Sequence, residues 1–153
     1  MRLTDILSPD LVVSELQGQT KDDVLRELAS AIAAVHPEIQ ADELVAVLWD
    51  RERGGTTAIG DGIAIPHGRL RGLQQIVAAF GRHRKGVDFQ SIDGKPTHLI
   101  VALALPEESV GLHLKALARV SRLLKEARVR ERLLAAADAK EMYEIIRQED
   151  EKL

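Results

Sequence analysis

The most unusual stretch of this sequence spans Arg51–Arg69 and reads RERGGTTAIGDGIAIPHGR. Its first half is rich in charged, hydroxyl and glycine residues, so it is too polar to be core. Its second half contains the short apolar run Ile63–Ile65, which is followed by Pro66, His67 and Gly68. This pattern predicts a glycine-rich loop that leads into a buried strand ending at a tight turn. His67 would then be held firmly at the end of that strand.

Amphipathic helices and short apolar strands are predicted on both sides of this stretch. One helix should begin after Thr20, a good N-cap residue, and end at His36, because Pro37 follows. A second helix is predicted over Ala41–Arg53, directly before the loop. A short helical turn is predicted at Thr4–Leu7, and buried strands are predicted at Leu11–Val13, Ile76–Phe80 and Leu99–Leu105.

The C-terminal third is predicted to be helical. Apolar residues at helical spacing between Leu112 and Leu124 predict a long helix, a break near Ala127 starts a shorter one, and Asp138 caps the last. Strands and helices mixed along one chain indicate an α/β domain in which helices pack on a central sheet. Because no linker-like segment interrupts the pattern, residues 1–153 are predicted to form a single domain.

Length and composition exclude several classes of protein. The chain has 153 residues, of which 45% are apolar and 29% are charged, which predicts a folded domain. It has no cysteine, which excludes disulfides, thiolate catalysis and cysteine-based zinc sites. A net charge of −3 without a basic stripe argues against nucleic acid as a partner. Since the N-terminus lacks a signal peptide and the apolar runs are short, we expect no membrane insertion and a cytoplasmic location.

His67 is the candidate reactive residue. A neutral imidazole has a lone pair near pH 7 and can act as a nucleophile. A phosphoryl group on its nitrogen would be stabilised by arginine side chains and exposed backbone N–H groups. The stretch supplies both, with Arg51, Arg53 and Arg69 as the cations. The P-loop pattern is absent, however, so these residues alone leave open a structural loop with an incidental histidine.

The same stretch resembles the active-site signature of IIA domains of the phosphoenolpyruvate-dependent phosphotransferase system, in the fructose/mannitol/nitrogen-regulatory class (EIIA type 2). The resemblance is carried by Arg51–Arg53 and Thr57–Arg69, and it continues through Gly86–Phe89, Asp93-Gly94 and His113. It therefore covers essentially the whole chain, and the order of residues in the motif is most similar to that of the nitrogen-regulatory branch. It implies a mixed β-sheet flanked by α-helices.

The resemblance also implies roles for individual residues. His67 would be the phosphorylated nucleophile, reacting through Nε2, and His113 the second active-site histidine. Arg51 would stabilise the charge of the phosphoryl group, while Thr57 and Gly60 would belong to the phosphate-binding loop. No cofactor and no metal are expected, because Mg²⁺ serves the upstream phosphoenolpyruvate step.

The implied partner is HPr, or a nitrogen-branch paralogue of HPr, as phosphoryl donor. The preferred hypothesis is a regulatory protein whose phosphorylation state changes the target proteins that it binds. The alternatives are a sugar-branch IIA that passes phosphate to a IIB component for fructose or hexitol uptake, and a regulatory binding module without phosphoryl turnover. The set Arg51, His67 and His113 argues against the last of these. We expect a phosphohistidine carrier rather than a free-standing enzyme.

Three further features yield smaller predictions. The basic run Gly81–Lys85 is predicted to be a solvated loop after a strand, and the acidic run Glu149–Glu151 a solvated tail. Asp61 stands where many nitrogen-regulatory relatives have Asn. Because a carboxylate would repel a phosphoryl group, Asp61 is expected to face solvent or a partner.

Overall fold

The structure, a computed structural model, describes residues 1–108 and 110–153. Two short 3-10 turns, Leu3–Asp5 and Pro9–Leu11, begin the chain. The strands are β1 (Val12–Val13), β2 (Ala58–Gly60), β3 (Ile63–Ala64), β4 (His67–Leu70), β5 (Val77–Val87) and β6 (Thr97–Pro106). The helices are α1 (Lys21–Val35), α2 (Ala41–Arg53), α3 (Val110–Lys125), α4 (Ala127–Ala135) and α5 (Ala139–Asp150).

A mixed sheet lies at the centre of the fold. β5 and β6 pair antiparallel, β1 pairs parallel with β5, and β3 and β4 both pair parallel with β6. β2 completes the order β1-β5-β6-β3-β2, with β4 alongside β6. This arrangement confirms the predicted α/β fold. The predicted caps are present as well, since the Thr20 side chain accepts the N–H of Asp23 and Asp138 accepts that of Glu141.

The basic run after Phe80 is not a solvated loop, so that prediction is wrong. It belongs to β5, and both Arg82 and His83 are buried. Arg82 Nη1 donates to the carbonyl oxygens of Leu133 and Ala136, at 2.8 and 2.7 Å, and so satisfies acceptors at the end of α4. His83 Nε2 donates to the Gly18 carbonyl at 2.7 Å. Distant backbone acceptors therefore compensate part of the polar atoms that the sequence pattern assigned to solvent, while Arg82 Nη2 and His83 Nδ1 have no hydrogen-bond partner among the described residues.

The acidic run at the end of the chain is also misassigned by the sequence pattern. Glu149 is 2% exposed and Asp150 is 1% exposed. Glu149 accepts hydrogen bonds from Arg128 at 2.5 Å and Arg132 at 2.6 Å, while Asp150 accepts from Arg119 and from a backbone N–H near the start of the chain. Because these carboxylates are paired, the last turn of α5 can be buried.

Close packing of α2 on β4 sets the position of Arg51 relative to His67. A Cβ added to Gly68 would lie 2.7 Å from Val47 Cγ2 and 2.9 Å from the Val47 carbonyl carbon. Only glycine permits this approach, which brings the last turn of α2, with Arg51, beside the start of β4. In the part of the chain described, no helix is both long enough and apolar enough to cross a membrane.

Candidate functional site

His67 is the first residue of β4 and is half-buried. Its Nδ1 lies 2.8 Å from the carbonyl oxygen of Ile65, two residues earlier. Because a carbonyl can only accept a hydrogen bond, Nδ1 carries the proton of the neutral ring. Nε2 therefore keeps an unprotonated lone pair, which is the atom a nucleophile needs.

His113 lies on α3 and faces His67. The two ring centroids are 5.4 Å apart, with an angle of 61° between the ring planes. Arg69 Nη2 lies 3.4 Å from His113 Nδ1, and since arginine is always protonated, Nδ1 accepts a long hydrogen bond. The proton of neutral His113 then sits on Nε2, which is buried without a hydrogen-bond partner among the described residues. Nε2–H is thus a donor available to a ligand beside His67.

Two arginines complete the surroundings of the histidine pair. Arg51, in the last turn of α2, is exposed and donates through Nη1 to the Gly55 carbonyl at 2.8 Å. Arg69 lies two residues after His67 on β4. A cavity of about 440 Å³ is lined by Val47, Asp50, Arg51, His67, Gly68, Arg69, Leu105 and His113. The structure therefore brings together the three residues Arg51, His67 and His113, which lie far apart in the sequence.

Burial and positive charge favour the neutral form of both histidines. Burial is the largest cause that lowers the pKa of His67 below its usual value, and the charges of Arg51 and Arg69 lower it further. The hydrogen bond to Ile65 and the charge of Glu52 act in the opposite direction. Burial also lowers the pKa of His113, followed by the charges of His67 and Arg69. Neutral rings at pH 7 are what a nucleophile and an uncharged donor require.

The contacts that the structure gives to Thr57 and Gly60 are with acidic residues rather than with the histidine pair. Thr57 is buried, and its hydroxyl donates to the Glu52 carboxylate. Gly60 lies at the β2–β3 turn with a φ of +94°, near Asp93. Neither is among the described residues that line the cavity. Asp61, in the same turn, is exposed and donates its backbone N–H to Asp93. It is not among those residues that line the cavity either.

Glu52, the residue after Arg51, is a buried carboxylate that the sequence analysis missed. Its side chain is only 1% exposed and lies 2.7 Å from Lys21 Nζ. Helical spacing gives the signal that could have revealed it, because Val45, Leu48 and Glu52 fall on one face of α2 and the first two are apolar. A carboxylate on the buried face of a helix requires a partner.

The sequence indicates Arg69 as one of the cations near His67, and only the structure shows its contact with His113. The signal available was its spacing from His67, because residues i and i+2 of a strand point to the same face. In the described part of the chain, no group of three or more His, Asp or Glu side chains is placed to hold a metal ion.

The chain matches the family model for the phosphoenolpyruvate-dependent sugar phosphotransferase system, EIIA 2, over residues 5–149, and it belongs to this family. A nitrogen regulatory protein of Bradyrhizobium diazoefficiens is 38% identical over 146 residues, which is 95% of each chain. The fructose-specific EIIABC component of Bacillus subtilis is 32% identical, over 98% of this chain and 24% of that protein. The crystal structure of IIA-Ntr from Neisseria meningitidis superposes with a TM-score of 0.88, at 31% identity over 94% of this chain and 98% of that one.

Proposed function

We propose that this protein is a phosphoryl carrier of the phosphotransferase system that accepts its phosphoryl group on Nε2 of His67. The observation that supports this most strongly is the 2.8 Å contact between His67 Nδ1 and the Ile65 carbonyl. That contact assigns the lone pair to Nε2, in a ring whose pKa is lowered mainly by burial.

The proposed step is a direct transfer between two imidazoles. The Nε2 lone pair attacks the phosphorus of a donor phosphohistidine in line, and the Nε2–P bond forms. The donor N–P bond breaks, and its electron pair returns to the donor ring. No proton has to leave His67. Nδ1 keeps its proton, and its hydrogen bond to the Ile65 carbonyl stabilises the positive charge that the phosphorylated ring gains.

Three groups would stabilise the transferring phosphoryl group. The guanidinium groups of Arg51 and Arg69 supply positive charge and directed N–H donors. His113 Nε2–H, which has no partner among the described residues, would donate a hydrogen bond to a phosphoryl oxygen. All three side chains line the same cavity as His67.

The donor in this proposal is HPr or its nitrogen-branch paralogue, and the role is regulatory. The similarity to nitrogen regulatory proteins over nearly the whole chain supports that branch. The phosphorylation state of His67 would change which target proteins bind. In this proposal the protein is a cytoplasmic phosphohistidine carrier rather than a free-standing enzyme. The similarity to a fructose-specific EIIABC component supports the alternative, in which the acceptor is a IIB component.

The test is reconstitution with phosphoenolpyruvate, Mg²⁺, enzyme I and either HPr or its paralogue, followed by intact-mass analysis. We expect one acid-labile phosphoryl group on the wild type, none on His67→Ala, and slower labelling of His113→Ala. Efficient donation by the paralogue alone would favour the regulatory branch, whereas efficient donation by HPr would favour the sugar branch. If neither donor labels the chain while both label a control IIA protein, a binding module without turnover takes the place of the carrier.

A further inference from the structure

We propose that Glu52 is a positioning residue that holds the reactive form of His67 through Thr57 and Ile65. The proposal rests on the function proposed above, since it concerns how the same histidine is held. It assigns Thr57 to the support behind the ring rather than to the phosphate.

A continuous series of hydrogen bonds joins the Glu52 carboxylate to the His67 ring. Glu52 accepts the Thr57 N–H at 3.1 Å through Oε1 and the Thr57 hydroxyl through Oε2. The Thr57 carbonyl accepts the Ile65 N–H at 3.1 Å. The Ile65 carbonyl in turn accepts His67 Nδ1–H at 2.8 Å. Each link therefore fixes the position of the acceptor that the next link uses.

A buried carboxylate is suited to this task because it is costly to leave unpaired. Lys21 Nζ, 2.7 Å away, supplies the opposite charge, and it is itself held over the rings of Trp49 and Phe89. With Lys21 in place, the two Thr57 donors bring the contacts of this carboxylate to three, out of about four acceptor sites. Any movement of Thr57 would expose a buried charge to incomplete hydrogen bonding, so its backbone is firmly placed.

The backbone of Glu52 also holds the loop that presents Arg51. The Glu52 backbone carbonyl accepts the Gly55 N–H at 3.0 Å, and the Gly55 carbonyl accepts Arg51 Nη1 at 2.8 Å. Glu52 and Thr57 thus close the turn from both ends. If this support fails, the Ile65 carbonyl shifts and either nitrogen of His67 can carry the proton, which removes the lone pair from Nε2 in part of the molecules.

The test compares Glu52→Gln with the wild type by ¹⁵N NMR of the His67 ring and by the rate of phosphoryl transfer at pH 7. Glutamine keeps the shape of the side chain and removes its charge. We expect a smaller fraction of His67 with the proton on Nδ1, a lower pKa of His67, and a transfer rate reduced about tenfold or more, as for other groups that orient a reactive ligand. Thr57→Val, which removes only the hydroxyl donor, should produce smaller changes in the same direction.

Glu149→Gln is the matched control, because Glu149 is also a buried carboxylate at the end of a helix but pairs with Arg128 and Arg132 of α4. It should lower stability without changing the His67 ring or the transfer rate. Unchanged protonation, pKa and rate in folded Glu52→Gln and Thr57→Val would overturn the proposal, and Thr57→Val decides alone if Glu52→Gln does not fold. Since the NMR readout uses unphosphorylated protein, it remains decisive even if the wild type accepts no phosphoryl group.

Discussion

The cavity around His67 and the ion cluster around Glu149 differ in whether their polar atoms have hydrogen-bond partners. At the C-terminal end, Glu149 binds Arg128, Arg132 and Lys152, so a buried carboxylate is surrounded by cations. In the cavity, His113 Nε2 has no partner among the described residues and His67 Nε2 presents a lone pair. Both regions contain charged residues, but of the two only the cavity has a donor and a lone pair without hydrogen-bond partners among the described residues.

This difference distinguishes groups whose hydrogen bonds are used within the fold from groups that the proposed phosphoryl transfer would use. A buried polar group with all its bonds made contributes to stability or specificity. An unsatisfied one is costly, and His113 Nε2 differs from the other unsatisfied buried atoms, such as Thr97 Oγ1, because its residue lines the cavity beside His67. The carboxylate of the buried Glu52 is paired within the fold, but its hydrogen bonds connect it through Thr57 and Ile65 to His67.

The largest contrast is expected between His67→Ala and Glu149→Gln. Removing His67 should abolish phosphoryl incorporation and change the free energy of unfolding by less than about 1 kcal/mol, because the side chain is half-buried with a single hydrogen bond. Glu149→Gln should keep full incorporation. Intact-mass analysis and urea denaturation measure the two effects, and a residual label on His67→Ala would point to another acceptor.

Gly68→Ala should damage both stability and transfer. The added methyl group would overlap Val47, so α2 must move away from β4, at a cost of about 1–3 kcal/mol. Because Arg51 moves with α2, the transfer rate should fall as well. Gly111→Ala is the matched control for stability, since its Cβ would meet nothing within 4 Å and alanine favours a helix. Equal stability of the two variants would show that the α2–β4 contact is looser than described.

Glu149→Gln should lower the free energy of unfolding by about 2 kcal/mol at pH 7, since it removes charge-assisted hydrogen bonds to partly exposed arginines. Bonding to Arg128 lowers the pKa of Glu149 to about 2, against an ordinary value of 4.5. The folded state thus binds protons less readily than the unfolded state, so the stabilisation is complete above pH 4.5 and is lost as the pH falls towards 2.

Urea denaturation of the wild type and Glu149→Gln between pH 7 and pH 3 measures this effect. The difference between them should shrink as the pH falls below 4.5. A constant difference over this range would mean that the charge of Glu149 contributes nothing.

Arg69→Gln should give the smallest effect. Removing this positive charge should raise the pKa of both His67 and His113, because Arg69 is the last of the causes that lower each of them. The shift can be followed by NMR titration of the ring protons, with Arg71→Gln as the control, because Arg71 is exposed and does not line the cavity. An unchanged pKa of His113 would argue against the contact between Arg69 and His113.

Most of the secondary structure could be predicted because its causes are local. The spacing of Val24, Leu25, Leu28 and Ile32 gives α1 a buried face, and Thr20 and Asp138 cap helices within their own turns. The predicted strand Ile76–Phe80 was too short, because the continuation of β5 depends on partners at the end of α4 and at Gly18 that no local pattern reveals.

The candidate site divides in the same way. The order Ile-Pro-His-Gly, together with the resemblance of the whole stretch to a known family, was enough to single out His67, Arg51 and His113. The protonated nitrogen of His67, the contact of Arg69 with His113, and the burial of Glu52 beside Lys21 depend on residues that only the folded chain brings together. Periodicity and capping act within a few residues, whereas burial and hydrogen-bond partners are set by long-range packing, so only the tertiary structure could decide which polar groups are paired.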